Sequence, residues 1–70
     1  MEWMAKKIRK EAIRNKLGMD DLINAVSAVQ YQQQGDLFDA QLHKDVIQKD
    51  TVQLWEVAGD IVQYFKENNF

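Results

Sequence analysis

The segment DTVQLWEVAGDIVQYF, residues 50–65, most restricts what this chain can fold into. Wound as a helix, it puts Gln53, Glu56, Asp60, Gln63 and then Glu67 at steps of three and four, along one narrow polar line. Val52, Leu54, Trp55, Val57, Ala58, Ile61, Val62, Tyr64 and Phe65 fill the remainder, roughly two-thirds of the circumference at 3.6 residues per turn. A helix with so wide an apolar arc needs neighbours on several sides. The rest of the chain has to supply them.

Residues 2–17 are rich in good helix formers, and Gly18 stands where a C′ glycine would end the segment. Met4, Ile8 and Ala12 form one apolar stripe, while Trp3, Ile13 and Leu17 lie nearer the opposite side. This first helix could therefore lie between two surfaces, one of them on another molecule. Asp20 reads as the N-cap of a second helix, 21–34, whose Leu22, Ile23, Val26 and Val29 follow the i, i+3, i+4, i+7 template. Ala25 and Ala28 widen that face and allow close approach, and Gly35 closes the segment.

Asp36 repeats the capping pattern and opens a third helix, 37–48, with Phe38, Leu42 and Val46 at spacing four. Carried onward at about 100° per residue, that line would point nearly opposite to Leu54, Ala58, Ile61 and Phe65. One straight helix would bury half of its apolar residues and expose the others. A break near Gln48–Thr51 removes the conflict, with Asp50 as N-cap of a fourth helix, 51–67. The rival reading pairs residues 46–48 with 51–55 as a hairpin, but its turn lacks the Gly or Asn that tight turns favour. The expected fold is all-α: a single small domain, 1–70, built as a bundle of three to four short helices.

A domain of 70 residues hides only about 60% of its unfolded surface, and such scaffolds usually gain from a staple. With no cysteine and one histidine, neither a disulfide nor a thiolate or His-based zinc site is open to it. Good helix packing or self-association is left, and a homodimer is expected. The lack of cysteine suits a reducing cytoplasm, the expected location. No apolar run approaches the ~20 residues of a membrane span, and no signal-peptide or lipidation pattern is present.

The inventory for catalysis is thin. Asp39 lies one helical turn before His43, a spacing at which a carboxylate can hold an imidazole, but a partner nucleophile would have to be Ser27 or Thr51. No Glu-x-x-His motif or carboxylate cluster suggests a metal, and Gly18, Gly35 and Gly59 are too isolated to cradle a phosphate. The chain reads as a non-enzyme without cofactor or small-molecule substrate.

Charge is uneven beneath a net −2: residues 1–17 hold six cations against two acids, the remainder three against nine. Lys6, Lys7, Arg9, Lys10, Arg14 and Lys16 are thus candidate contacts for nucleic acid or an acidic partner. On a helical wheel they scatter nearly all round rather than along one groove-facing stripe, which weighs against nucleic acid. The run from Ile13 to Asp20 is similar to the turn of a helix-turn-helix. It departs where that motif wants a small residue, at Arg14, and an apolar one, at Asn24, while Asp20 and Asp21 would meet phosphates. A lysine-flanked Trp3, Met4 and Ile8 could lie on a lipid surface, but the divided apolar pattern speaks against it.

Another protein is the remaining class of partner. Two tryptophans, two tyrosines and three phenylalanines are many for so small a core, and aromatics left outside it are natural anchors. Trp3, Trp55, Tyr64 and Phe70 are the expected interface residues, beside a smooth patch at Gly59. The expected function is that of a small adaptor, inhibitor or assembly factor, of a kind common in phage and mobile-element genomes. The alternative is a nucleic-acid-associated regulator using the basic first helix.

Overall fold

A computed structural model describes residues 2–68, with side chains from Met4 onward. Its elements are α1 (Glu2–Arg14), α2 (Met19–Gln33), α3 (Leu37–Asp45) and α4 (Val52–Glu67), with no strand among the described residues. The chain is therefore an all-α bundle of four short helices, and the hairpin alternative at 46–55 is excluded.

The core forms where the α4 periodicity requires it. Leu54, Val57, Ala58, Ile61, Val62 and Phe65 are buried, while Gln53, Glu56, Asp60, Gln63 and Glu67 all face solvent. Ile8 and Ala12 of α1 and Leu22, Ala25 and Val26 of α2 close around them. Each large enclosed side chain, such as Phe65, Leu22 or Ile61, stabilises by roughly 1.5–3 kcal/mol relative to exposure. α4 lies against α2 and α1, whereas the α3 backbone packs on α2 and Lys44 reaches over Trp55 of α4.

The helix ends correct several sequence expectations. α1 stops at Arg14, not at residue 17, because Lys16 turns into the left-handed region with φ 55°. Leu17 N–H then reaches the Ala12 carbonyl at 2.8 Å and Lys16 N–H the Ile13 carbonyl at 3.3 Å, the paired bonds of a Schellman cap. Lys16 holds the place expected for Gly18, and Leu17 folds back against the core. Gly18 is instead the extended N-cap of α2, without a side-chain bond, so Asp20 falls inside the first turn beside Asp21. Both acids suit the positive end of the helix dipole there.

At the far end of α2 the expectation holds. Gly35, at φ 84°, closes the same cap: Asp36 N–H bonds to the Tyr31 carbonyl at 2.9 Å and Gly35 N–H to that of Gln32 at 3.1 Å. Asp36 caps α3 by accepting from Asp39 N–H at 3.1 Å. α3 ends at Asp45, three residues early, and residues 46–51 make the expected break. Thr51, not Asp50, caps α4, its hydroxyl accepting from Leu54 N–H at 3.2 Å. Asp50 takes the indole N–H of Trp55 instead, at 2.6 Å.

Candidate protein-interaction surfaces

The residues expected to form one aromatic patch on α4 are held on two sides of it. Trp55 and Tyr64 are nine positions apart, which at about 100° per residue turns them to opposite flanks. Trp55, half-buried, is tied to Asp50 and has the Lys44 ammonium 5.9 Å from its ring centre. Tyr64, 38% exposed, stacks edge-on with Phe65 and carries Lys7 Nζ 4.3 Å above its ring. Gly59 is half-buried on the helix, and nothing lies within 4 Å of where a Cβ would stand. The Trp3 side chain and Phe70 lie outside the described residues.

The cations do not scatter all round, contrary to expectation: at about 100° per residue they span one half of the wheel. Met4, Ile8 and Ala12 face inward, so Lys6, Arg9, Lys10, Arg14 and Lys16 are all exposed on the outer half of the α1 segment, around a 73%-exposed Ile13. Lys7 sits at the edge of this half, between Tyr64 and Glu11 at 3.8 Å, and Arg14 bonds Glu11 from the other side at 3.0 Å. Lys6, Arg9, Lys10 and Lys16 make no ion pair among the described side chains.

α3 is the departure from expectation. Phe38, Leu42 and Val46, spaced like a core face, are 75%, 50% and 59% exposed, and Leu37 is 67% exposed. The inner side of α3 carries one buried residue, Ala40, and polar contacts. His43 Nδ1 pairs with Asn24 Oδ1 at 2.9 Å, and its ring stacks on Tyr31 with centroids 5.4 Å apart. Neither Ser27 nor Thr51 bonds to His43; Thr51 is engaged in its cap.

The loop after α3 is fastened by charge. The Asp21 carboxylate accepts from Gln48 N–H and Lys49 N–H, both at 3.0 Å, and these two bonds hold its pKa below the ordinary 3.8. Asp39 is moved the other way, upward, chiefly by its hydrogen bond with Asp36 and then by desolvation. Ile23, expected in the core, is 39% exposed and shares with Val46, Met19 and Asn24 a shallow groove of about 490 Å³ between α2 and the end of α3. The outer stripe of α3 therefore continues onto α2.

Phe38, Leu42, Val46 and Ile23 together expose on the order of 400 Å² of apolar surface, within the range of the largest patch on a typical monomer, while Leu37, nine positions from Val46, is turned to the other flank. Sequence reasoning placed no interface there, because a stripe at spacing four reads as core. The opposite signal is the short side chain of Ala40 on the other face, flanked by Asp36 and His43.

Among the described residues no cluster of three metal-ligating side chains occurs, and no helix is long and apolar enough to cross a membrane. No known protein family, curated protein or solved structure matches the chain.

Proposed function

We propose that the protein is a non-enzymatic protein-interaction module, an adaptor, inhibitor or assembly factor that acts by occupying a partner's surface. One observation carries this reading: the apolar face of α3, continued by Ile23, stays outside a core that is already filled by α1, α2 and α4. Its size is that of the largest apolar patch on a typical monomer, which often marks an interaction site. The mechanism is steric docking of a preformed helical face, and no chemical step is required.

Affinity capture from the native host with the wild-type chain and with Phe38→Glu tests it. The reading expects a protein retained by the first and lost by the second. Identical capture by both would refute α3 as the docking surface.

A second reading, a nucleic-acid-associated regulator, draws support from the gathering of four exposed cations on the outer half of α1, with Lys16 exposed just beyond it. Binding of duplex or single-stranded nucleic acid that falls steeply with salt, and that Lys6→Glu, Lys10→Glu and Arg14→Glu together abolish, would establish it. No binding at low salt would dismiss it.

A further inference from the structure

We infer that the α3 face is covered by a second copy of this chain, in a two-fold dimer with α3 crossing its counterpart near Leu42. This deepens the proposed function and rests on it. Three features of the fold point to self-association.

The first is anchorage. α3 has nine residues, packs its backbone on α2 with Lys44 over Trp55, and buries a single alanine. Isolated helices of that length are marginal in water, and their stability comes from packing an apolar face. Here the larger apolar side chains, Phe38, Leu42 and Val46, point away from the molecule that should supply the packing. An occupant that is present at all times would complete the helix, and the chain itself is always available at its own concentration.

The second is area. A stable interface covers about 800 Å² on each partner with an apolar centre and a polar rim. The apolar stripe of Phe38, Leu42, Val46 and Ile23 supplies on the order of 400 Å² of this. Gln41, Asp45, Gln48 and Lys49 are exposed beside it or just beyond it, and suit the rim. The third is self-complementarity. In an antiparallel crossing centred on Leu42, Phe38 of one copy meets Val46 of the other, large against small, as ridges packing into grooves require. The same two-fold brings the two Leu42 side chains together. The basic helix α1 does not touch α3 and stays uncovered in such a dimer.

Sedimentation across micromolar to millimolar concentrations is the test. The wild type should approach twice its 8.2 kDa chain mass. Phe38→Glu and Leu42→Glu should each weaken association by more than about tenfold. Ile13→Glu, on an equally exposed site of α1, should leave it unchanged. Far-UV circular dichroism shows whether each variant remains folded. Because the chain has no cysteine, Leu42→Cys adds a readout that is independent of folding losses: mild oxidation should link the two copies, whereas Ile13→Cys should not. A wild type that stays monomeric at millimolar concentration overturns the second-copy inference, as does a dimer indifferent to both α3 glutamates. In either case host capture by the wild type but not by Phe38→Glu would keep the broader reading, and its failure would end both.

Discussion

Replacing glycine by alanine at residues 59 and 35 should shift stability in opposite directions, although a Cβ meets nothing within 4 Å at either place. Gly59 lies in the interior of α4, where glycine costs about 0.5–1 kcal/mol relative to alanine because the unfolded chain loses more freedom on ordering. Gly59→Ala gains that amount with no clash to offset it. In a domain of this size it corresponds to a rise of about 2–8 °C in Tm. Gly35 holds φ at 84° in the cap of α2, where a Cβ crowds the following carbonyl oxygen whatever the surrounding space. Gly35→Ala should lose about 1 kcal/mol, a fall of about 4–8 °C. Urea and thermal denaturation at several protein concentrations provide the measurement. Shifts of the same sign would refute the backbone argument. Destabilisation by Gly59→Ala that appears only at high concentration would mean that another chain packs on this glycine, placing an interface on α4.

The remaining helix ends and carboxylates make comparable tests. Lys16→Gly should stabilise by about 0.5–1 kcal/mol, since Lys16 holds a left-handed cap position that glycine adopts freely; chemical denaturation is the assay. Thr51→Ala should cost about 1 kcal/mol through loss of the α4 cap, whereas Asp50→Ala should chiefly alter the fluorescence of Trp55. The Asp21 pKa is lowered by folding, so its contribution is present above the ordinary carboxylate range and lost as pH falls through the folded value. Asp21→Asn should therefore flatten the acid limb of a stability–pH curve. Asp39 is raised, so the folded state binds its proton more readily and ionisation works against folding as pH climbs. Asp39→Asn should raise the urea midpoint at neutral pH and leave it unchanged in strong acid.

How far the fold was legible in the sequence depended on how much of each helix meets the core. α4 is covered on two sides by α1 and α2, so its polar line and most of its apolar arc follow from periodicity, although Val52 and Tyr64 on that arc are exposed. Leu22 and Val26 follow in the same way, since α2 lies between α4 and α3. The break after α3 falls where expected, although the phase conflict that pointed to it assumed a buried 38/42/46 line, and that line is exposed. The caps were less legible. Both Gly18 and Lys16 could end α1, and the choice fell to the turn that folds Leu17 back onto the core. Asp50 and Thr51 are both good capping residues, and the indole of Trp55 claimed the first.

The site was less legible than the fold, for reasons that can be named. Trp55, Gly59 and Tyr64 are close in sequence, but their angular positions on α4 send the two aromatics to different neighbours, Lys44 on one flank and Lys7 on the other. The cations, by contrast, lie within one half of the wheel at about 100° per residue, opposite Met4, Ile8 and Ala12, so their gathering on one side was legible in the spacing.

α3 inverts the usual inference from an amphipathic pattern. Its apolar line is continuous, yet the side that faces α2 is chosen by what α2 offers there: the Asn24 amide, the Tyr31 ring and the Asp21 carboxylate. His43 and the backbone of residues 48 and 49 match them, whereas Phe38 or Leu42 has no donor to offer the Asn24 oxygen or the Asp21 carboxylate. Turning α3 to bury its leucine and phenylalanine would leave the Asn24 oxygen without its imidazole partner. Polar matching thus favours the observed orientation, and the apolar stripe is left over for whatever covers it. A direct check is His43→Leu. If polar matching sets the orientation, this change should loosen α3 selectively, seen as faster amide exchange across residues 37–45 while α4 stays protected. Uniform exchange through both helices would show that α3 is held by something other than its contacts with Asn24 and Tyr31.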